Sequence, residues 1–226
     1  MAKRSKRYLE SRKTVDVVKK YELKEAVKLL KSFKCAKFDE SVEVAIKLGI
    51  DPKQSDQLVR GSISLPKGIG KSLKVIVFAS GEKADIARKA GADEVGAEEL
   101  VKKVEGGWAD FDVAIAASDM MRLVGKLGRV LGPQGKMPSP KSGTVTDDIE
   151  KAVKEFKAGK IEYRTDAGGN VHVLVGKVSF SETDLEDNIN TFVRHIINSR
   201  PASAKGIFLE KASVSSTMSP GIMLQI

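Results

Sequence analysis

The chain has little of several residue types that carry common protein chemistry. Its 226 residues include one cysteine, Cys35, and two histidines, His172 and His195. A single cysteine excludes an intramolecular disulfide and any zinc site built from several cysteines, and it fits a protein of the reducing cytoplasm. The two histidines do not form a ligand-spaced pair. We therefore expect no metal site, and each histidine is interpreted as an ordinary one.

Long apolar runs and targeting signals are also missing. No stretch approaches the ~18 consecutive apolar residues that a membrane span requires. The first residues, MAKRSKRYLESRK, are basic but are not followed by an apolar stretch, so we do not expect a secretory signal. With 41% hydrophobic residues the chain can build real cores. The sequence therefore predicts a globular protein without a membrane span.

Nucleotide-binding motifs fail on spacing. For the GIGKS segment to be a GxxxxGK phosphate loop, the first glycine of the motif would have to stand five positions before Gly70, where the chain has Leu65. A strand rather than a helix is also predicted to follow. The GPQGKMP segment has Met137 where serine or threonine is required, and FASGE at 78–82 has one glycine rather than GxGxxG. No cofactor is expected. A nucleotide-binding enzyme that uses the central part of the chain stays as an alternative, because many parallel α/β sheets bind dinucleotides.

Catalytic motifs are equally scarce. There is no nucleophile elbow, no paired carboxylate and no histidine with a recognisable partner. The acids Asp39, Glu40, Asp147 and Asp148 are interpreted as solvated charges or as residues at helix N-termini. We therefore predict that the protein is not an enzyme.

Positive charge is what the chain does have. Lysine and arginine total 39 against 30 acidic residues, for a formal net charge of +9. This balance favours a polyanionic partner, and nucleic acid more than an acidic membrane surface. The charge is concentrated in residues 120–146, here called the basic segment, whose glycines and prolines predict an irregular surface loop that packs no core and can meet phosphates. Its five cations, with no carboxylate among them, are Arg122, Lys126, Arg129, Lys136 and Lys141.

Hydrophobic periodicity divides the chain into three parts. Alternation in residues 38–48 predicts a half-buried strand, with Phe38 on its core face and Lys37, Ser41, Glu43 and Lys47 in solvent. Near-continuous apolar runs at 73–79 and 111–117 instead predict parallel, buried strands. Helices are predicted at residues 23–33, 82–89, 97–104 and 147–157 and after Ser181, with a short strand at 93–95. Beyond residue 159, alternation predicts a hairpin with a TDAGGN turn, then a strand near the C-terminus.

This order of hydrophobic patterns, alternating at both ends of the chain and continuous in the middle, predicts an α/β fold with two domains. Neither end of the chain has enough strands for a stable sheet of its own. We expect a two-layer α+β domain, with an antiparallel sheet built from both termini, over residues 1–67 and 160–226. A three-layer Rossmann-like α/β domain over residues 68–159 is expected to be inserted into it. The two crossings are expected near residues 65–70 and 157–160, and because both contain glycine we predict a two-strand hinge there.

Four blocks of the sequence resemble one known family. They are KFDESVEVAIKLGIDPKQSDQLVRGSISLPKGIGK, GKLGRVLGPQGKMPSPKSGTVT, the AGGNVHVLVGK hairpin and the closing STMSPG. In this order the chain closely resembles the bacterial large-subunit ribosomal protein L-one family, whose members belong to the mobile side stalk of the ribosome. The resemblance implies stalk ribosomal RNA, exit-site tRNA and the protein's own operon messenger RNA as partners. It also implies translational repression through that messenger, no membrane, a monomer when free, and a ribosome-associated, cytoplasmic protein.

The resemblance also implies a binding surface. Composition alone predicts an ordinary turn for the Ser/Thr-rich C-terminal segment, and strand parity alone predicts a core residue at Phe38. The resemblance instead implies that both contact RNA. Two departures stand out, because Ser219 replaces the usual glycine and GKMPSPK adds Lys136. The cations of the basic segment are expected to meet tRNA or neighbouring stalk RNA. The implied RNA-binding residues are Lys37, Phe38, Ser41, Asp166, Asn170, His172, Ser215, Thr217, Met218 and Ser219. A basic protein that binds RNA only through charge is the remaining alternative.

Overall fold

The computed structural model describes residues 4–16, 18–34 and 36–225; Cys35 lies outside them. The described chain divides into two compact units, residues 71–160 and the remainder on either side, with the junctions at Gly70/Lys71 and Lys160/Ile161. The predicted boundaries lie within three residues of these junctions. That each unit folds as an independent domain stays a prediction. Among the described residues, no helix has both the length and the apolar character to cross a membrane.

The first unit is built on a four-stranded antiparallel sheet. The strand order is β7-β1-β8-β9, so the early strand β1 lies between two strands from the end of the chain. Helices α2 and α8 pack together and against this sheet. The elements are α1 (Lys6–Lys13), α2 (Leu23–Ser32), β1 (Ser41–Leu48), β2 (Arg60–Ser64), β6 (Lys160–Arg164), β7 (Asn170–Lys177), α8 (Glu182–Asn198), β8 (Leu209–Ser216) and β9 (Ile222–Leu224).

Alternation along β1 sets the two faces of the sheet. Val42, Val44 and Ile46 are fully buried, while Glu43 is exposed and Ser41 and Lys47 are partly so, as the pattern predicts. The prediction for Phe38 is wrong: its side chain is 50% exposed. The strand begins only at Ser41, so residue 38 lies in the preceding loop, where strand parity does not apply.

The predicted hairpin after residue 159 is also wrong. Strand β6 pairs with β2 in a separate two-stranded sheet, whereas β7 pairs with β1. Only the bridge between Thr165 and Val171 joins the two segments directly. The turn itself is present, since Gly169 has φ +74° and its N–H donates to Asp166 O at 3.1 Å. Alternation identified both strands but not their partners, which come from β1 and β2 far earlier in the chain.

The second unit contains the parallel sheet that the apolar runs predict. Its strand order is β4-β3-β5, with β3 parallel to both neighbours and buried along its length. The mixed α/β character, with antiparallel and parallel sheets, is therefore confirmed. The elements are β3 (Val75–Phe78), α3 (Glu82–Lys89), β4 (Glu94–Gly96), α4 (Glu98–Glu105), β5 (Val113–Ala116), α5 (Met121–Val124), α6 (Gly128–Leu131) and α7 (Ile149–Lys157).

The basic segment differs from its prediction in one respect. It forms successive short helical turns, and Val124, Leu127 and Leu131 are fully buried in the core around the parallel sheet. The expectation that this segment packs no core is wrong. Its apolar residues recur every three or four positions, which keeps them on one face of a helical path. Gly125 and Gly128 stand where an added Cβ would meet open space, so glycine there did not signal an irregular loop.

Candidate RNA interface

Hydroxyl side chains gather at one corner of the four-stranded sheet, where β1 begins and β8 ends. The N–H of Ser41 donates to Thr217 Oγ1 at 3.0 Å, and the N–H of Thr217 donates to Ser41 O at 3.0 Å. Ser215 is directly opposite Glu43 on the outer side of the sheet. Met218 follows with its side chain 49% exposed. We call Ser41, Ser215, Thr217, Met218 and Ser219 the hydroxyl corner.

A buried carboxylate supports the hydroxyl corner through hydrogen bonds. Glu40 is 2% exposed, so its interpretation as a solvated charge is wrong. Its Oε2 accepts from the Ser216 hydroxyl and from the N–H of Met218 at 3.1 Å, and its Oε1 accepts from the N–H of Ala36 at 2.7 Å. Glu40 thus joins the loop before β1 to the turn after β8. No sequence signal marks it, because a lone acid before a strand is usually solvated.

Two opposing effects act on the charge of this carboxylate. Burial by itself raises the pKa of Glu40, but hydrogen bonds from Ser216, Ala36 and Met218, together with the charge of Arg7, outweigh it. The pKa therefore lies below its usual value, and the group stays ionised at neutral pH. An ionised acceptor suits a site that offers three donors.

Ser219, where the resemblance implies a glycine, closes the turn after β8. Its hydroxyl accepts from the N–H of Ser216 at 2.8 Å, and its own N–H donates to Ser216 O at 3.1 Å. No described residue other than glycine has a positive φ, so the backbone at position 219 does not require glycine. The Ser219 side chain points into the turn, away from its outer surface, and its hydroxyl forms a hydrogen bond that glycine cannot form.

The loop before β1 carries the remaining predicted contacts of this corner. Lys37 and Phe38 are exposed. Asp39 is tied down by Ser179, whose hydroxyl donates to Asp39 Oδ2 at 2.8 Å. The Lys177 ammonium donates to Ser41 Oγ at 2.9 Å and so adds a cation that sequence analysis did not identify. An exposed aromatic ring, cations and hydroxyls therefore lie around one point of the sheet.

A second group of predicted residues, Asp166, Asn170 and His172, lies at the far end of β1. Asp166 Oδ1 accepts from the backbone N–H groups of Gly168 and Asn170 at 2.8 and 2.7 Å. The Asn170 side chain also donates to Asp166 Oδ2. The side-chain and backbone hydrogen bonds from Asn170, the backbone hydrogen bond from Gly168 and the charge of the nearby His172 hold the pKa of Asp166 below its usual value. Asp166 is thus occupied in closing its turn. Ser41 and the β1 partner of Asn170, Lys47, are about 20 Å apart along the strand.

The outer face of the sheet connects these two groups. His172 is opposite Ala45, which is opposite Ser213, and Lys47 is opposite both Asn170 and Lys211. Ser41, Ser215, Asn170 and His172 therefore share one open face, although they do not form one cluster. Sequence analysis missed Ser213 and Lys211, and the alternation along β8 was the signal that places them outward.

The cations of the basic segment fall into two kinds. Four are exposed, namely Arg122, Lys126, Arg129 and Lys141. Lys136 differs, because its ammonium donates to Ala109 O at 2.9 Å and to Phe111 O at 2.6 Å. These bonds attach the end of the segment to the loop before β5. The cation that GKMPSPK adds therefore serves packing within the second unit.

The segments that resembled nucleotide motifs have other roles. Lys71 of GIGKS pairs with Asp112 at 2.6 Å, and Asp147 accepts from Lys83 at 2.7 Å. Asp148 caps α7, with its side chain accepting from the N–H of Lys151.

His195 donates to or accepts from the Tyr163 hydroxyl at 2.8 Å, and burial lowers its pKa. Within the described part of the chain, no group of three or more histidine, cysteine or acidic residues is placed to hold a metal ion.

A mixed α/β protein with an open sheet face of hydroxyls and cations, and a second basic surface, has the features of a polyanion-binding protein. Comparison with known proteins gives the family. Residues 30–220 match the model of the ribosomal protein L1p/L10e family, and the chain belongs to that family. It is 56% identical over 224 residues to the large ribosomal subunit protein uL1 of Kosmotoga olearia, with 99% of this chain and 97% of that protein covered.

Family membership confirms two predictions. The resemblance to ribosomal protein L-one is correct, and the chain is a structural ribosomal protein rather than an enzyme. The nucleotide-dependent enzyme is therefore set aside.

Proposed function

We propose that the chain binds the stalk ribosomal RNA of the large subunit through the hydroxyl corner and the adjoining loop. The observation that carries the proposal is the exposure of Phe38 and Met218 around the paired Ser41 and Thr217. An exposed ring can stack on a base, and hydroxyls can reach phosphates and ribose 2′-OH groups. Asp166, Asn170 and His172 at the far end of the face, with Ser215 and Ser219 at the corner and Lys37 beside it, complete the proposed contact set.

We further propose that the second unit meets exit-site tRNA through Arg122, Lys126, Arg129 and Lys141, and assists release of the deacylated tRNA. These cations are exposed, and their helical turns are fixed by buried leucines, so the charges are presented from a defined surface. Lys136 is left out of this set because its ammonium is bonded within the unit. Repression of the protein's own operon is proposed to use the hydroxyl corner on a messenger segment that resembles the stalk RNA. The resemblance to the family also supports a cytoplasmic, ribosome-associated protein that is a monomer when free.

Replacing Thr217 with valine tests the proposed corner directly. Thr217→Val removes an exposed hydroxyl, and with it the acceptor of the Ser41 N–H, and keeps the shape of the side chain. Binding to a stalk RNA fragment is expected to weaken by about 1 to 3 kcal/mol, because an RNA group loses its hydrogen-bond partner. Filter binding measures the effect.

Two controls make this result decisive. Thr217→Ser keeps the hydroxyl and should bind almost as the parent does. A scrambled RNA of the same length, titrated over rising salt, separates recognition from charge. Equal binding by Thr217→Val and the parent would remove Thr217 from the site, and equal affinity for both RNAs would leave only the charge-based alternative.

The proposed two-domain organisation predicts that the second unit can be removed. A chain that joins Gly70 to Ile161 through a short glycine linker is expected to fold and to keep its affinity for the stalk fragment within a few fold. The cut lies beyond Gly68 because Asn188, buried in α8, donates to Gly68 O at 3.0 Å and accepts from the N–H of Lys67. Circular dichroism and filter binding report the outcome. Failure of this shortened chain to unfold cooperatively would count against an independent first domain.

A further inference from the structure

The first helix carries more positive charge than its packing explains. α1 spans Lys6–Lys13, and Ser11 is the only residue buried along its length. Its single carboxylate, Glu10, forms an exposed ion pair with Lys34 at 3.4 Å. A helix of eight residues is marginal alone, and like charges on it repel one another. The cations on and beside it are Arg4, Lys6, Arg7, Arg12 and Lys13.

Contacts nevertheless hold this helix in one place. The Ser5 side chain caps its first turn, and Val15, just beyond the helix, is 6% exposed. The N–H of Asp16 donates to the Tyr21 hydroxyl at 3.0 Å. The helix is thus packed at Ser11 and anchored beyond its C-terminal end, so its charge is presented from a defined position.

That position is beside the hydroxyl corner. Ser11 lines a small crevice together with Glu40, Met218 and Ser219. Arg7 is near enough for its charge to act on the buried carboxylate of Glu40. α1 therefore borders the hydroxyl corner.

We propose that α1 is a phosphate-binding arm of the RNA interface, which contacts the RNA backbone next to the nucleotides held at the hydroxyl corner. The inference rests on the proposed function, because it extends the surface assigned there. The basic pairs at its two ends are about 9 Å apart along the helix axis, so they can meet different phosphates. Continuity with the corner and the sign of its charge select RNA. An anionic membrane surface fits less well, because α1 offers only Tyr8 and the 47% exposed Leu9 as apolar residues.

A charge-matched pair of variants of the full chain tests this assignment. The first is Lys6→Gln with Arg12→Gln and Lys13→Gln, which leaves Arg7 and its neighbour Glu40 untouched. The control is Lys24→Gln with Lys28→Gln and Arg194→Gln, three exposed cations on α2 and α8, the helices that cover the other face of the sheet. Both variants lose three charges, so long-range attraction falls equally.

Binding to the stalk RNA fragment is measured from low to high salt. The α1 variant is expected to bind roughly tenfold or more weakly near 0.1 M salt, and its plot of log affinity against log salt is expected to be shallower by about 2 to 3. The control should leave that slope within about 0.5 of the parent. A third variant with the cations exchanged, Lys6→Arg with Arg12→Lys and Lys13→Arg, should restore the parental slope.

Each result has a distinct meaning. Equal slopes for the α1 variant and the control would overturn the inference. It would also be overturned if the α1 substitutions weakened binding of the chain to anionic phospholipid vesicles but not to the RNA. If Thr217→Val weakens binding while the α1 variant does not, the proposed function stands and the arm does not. If the parent fails to prefer the stalk fragment over scrambled RNA, the proposed function itself has failed.

Discussion

Glu40→Gln is expected to lower the free energy of unfolding of the first unit by about 2 to 4 kcal/mol. The carboxylate accepts from backbone N–H groups on both of its oxygens, at Ala36 and at Met218. A glutamine must turn its NH₂ toward one of these N–H groups, which leaves a buried donor without an acceptor. Binding of the stalk fragment is expected to weaken as well, because the turn that carries Met218 loses its anchor. Urea unfolding and filter binding measure the two effects.

Glu43→Gln is the matched control for this change. It is the same substitution three residues later in the chain, but Glu43 lies on β1 and is exposed on the outer face, so the expected change in stability is within about 0.5 kcal/mol. Comparable losses for the two variants would show that Glu40 is not the buried acceptor described above.

The pH dependence of this effect has a definite sign. The pKa of Glu40 is lower in the folded chain than its ordinary value of 4.5. Its contribution to stability is therefore fully present above pH 4.5 and is lost as the pH falls through the lower, folded value. The parent should lose stability relative to Glu40→Gln over that acidic range, and the difference between them should be constant near neutral pH.

Leu131→Ala is expected to destabilise the second unit by about 2 to 5 kcal/mol. Leu131 is fully buried in its core although it belongs to the basic segment, so truncation leaves a cavity. Because Leu131 packs within the second unit, affinity for the stalk fragment is expected to stay unchanged. Thermal unfolding followed by circular dichroism should show the loss in one transition.

Leu123→Ala supplies the comparison. Leu123 has the same side chain in the same segment but is only partly buried against that core, so the loss should be about 1 kcal/mol. If both leucines can be truncated with equally small cost, the basic segment is a surface loop after all.

Sequence patterns predicted most of the helices and strands because those depend on local periodicity. The helix at 82–89 matches its prediction, and the helix at 147–157 begins two residues later than predicted, at Ile149. Pairing was less predictable, as β6 and β7 show, because alternation says which face is buried and not which strand lies alongside. In the basic segment, glycine and proline outweighed a helical recurrence of leucines that was present and that predicts the observed packing.

The hydroxyl corner could be recognised only through family resemblance. Ser41 and Thr217 bond to one another across most of the chain, and no local pattern connects them. Glu40 shows the same limit more strongly, since its burial depends on donors from Ala36, Ser216 and Met218 that meet only in the folded unit. The residues that position a site are hidden from sequence wherever their partners are distant.

The strand order described for the first unit has a consequence for synthesis on the ribosome. Ser41 pairs with Lys177 and Val42 with Ser216, so β1 emerges long before either neighbour exists. At ~5–20 residues per second, the wait before β8 is made is on the order of ten seconds or more. Before β7 is made, the contiguous residues 71–160 can complete their own core, while the apolar side of β1 has no neighbouring strand to join. Nascent chains halted before residue 170 should therefore expose β1 to chaperones or proteases, and synthesis of the later strands should end that exposure.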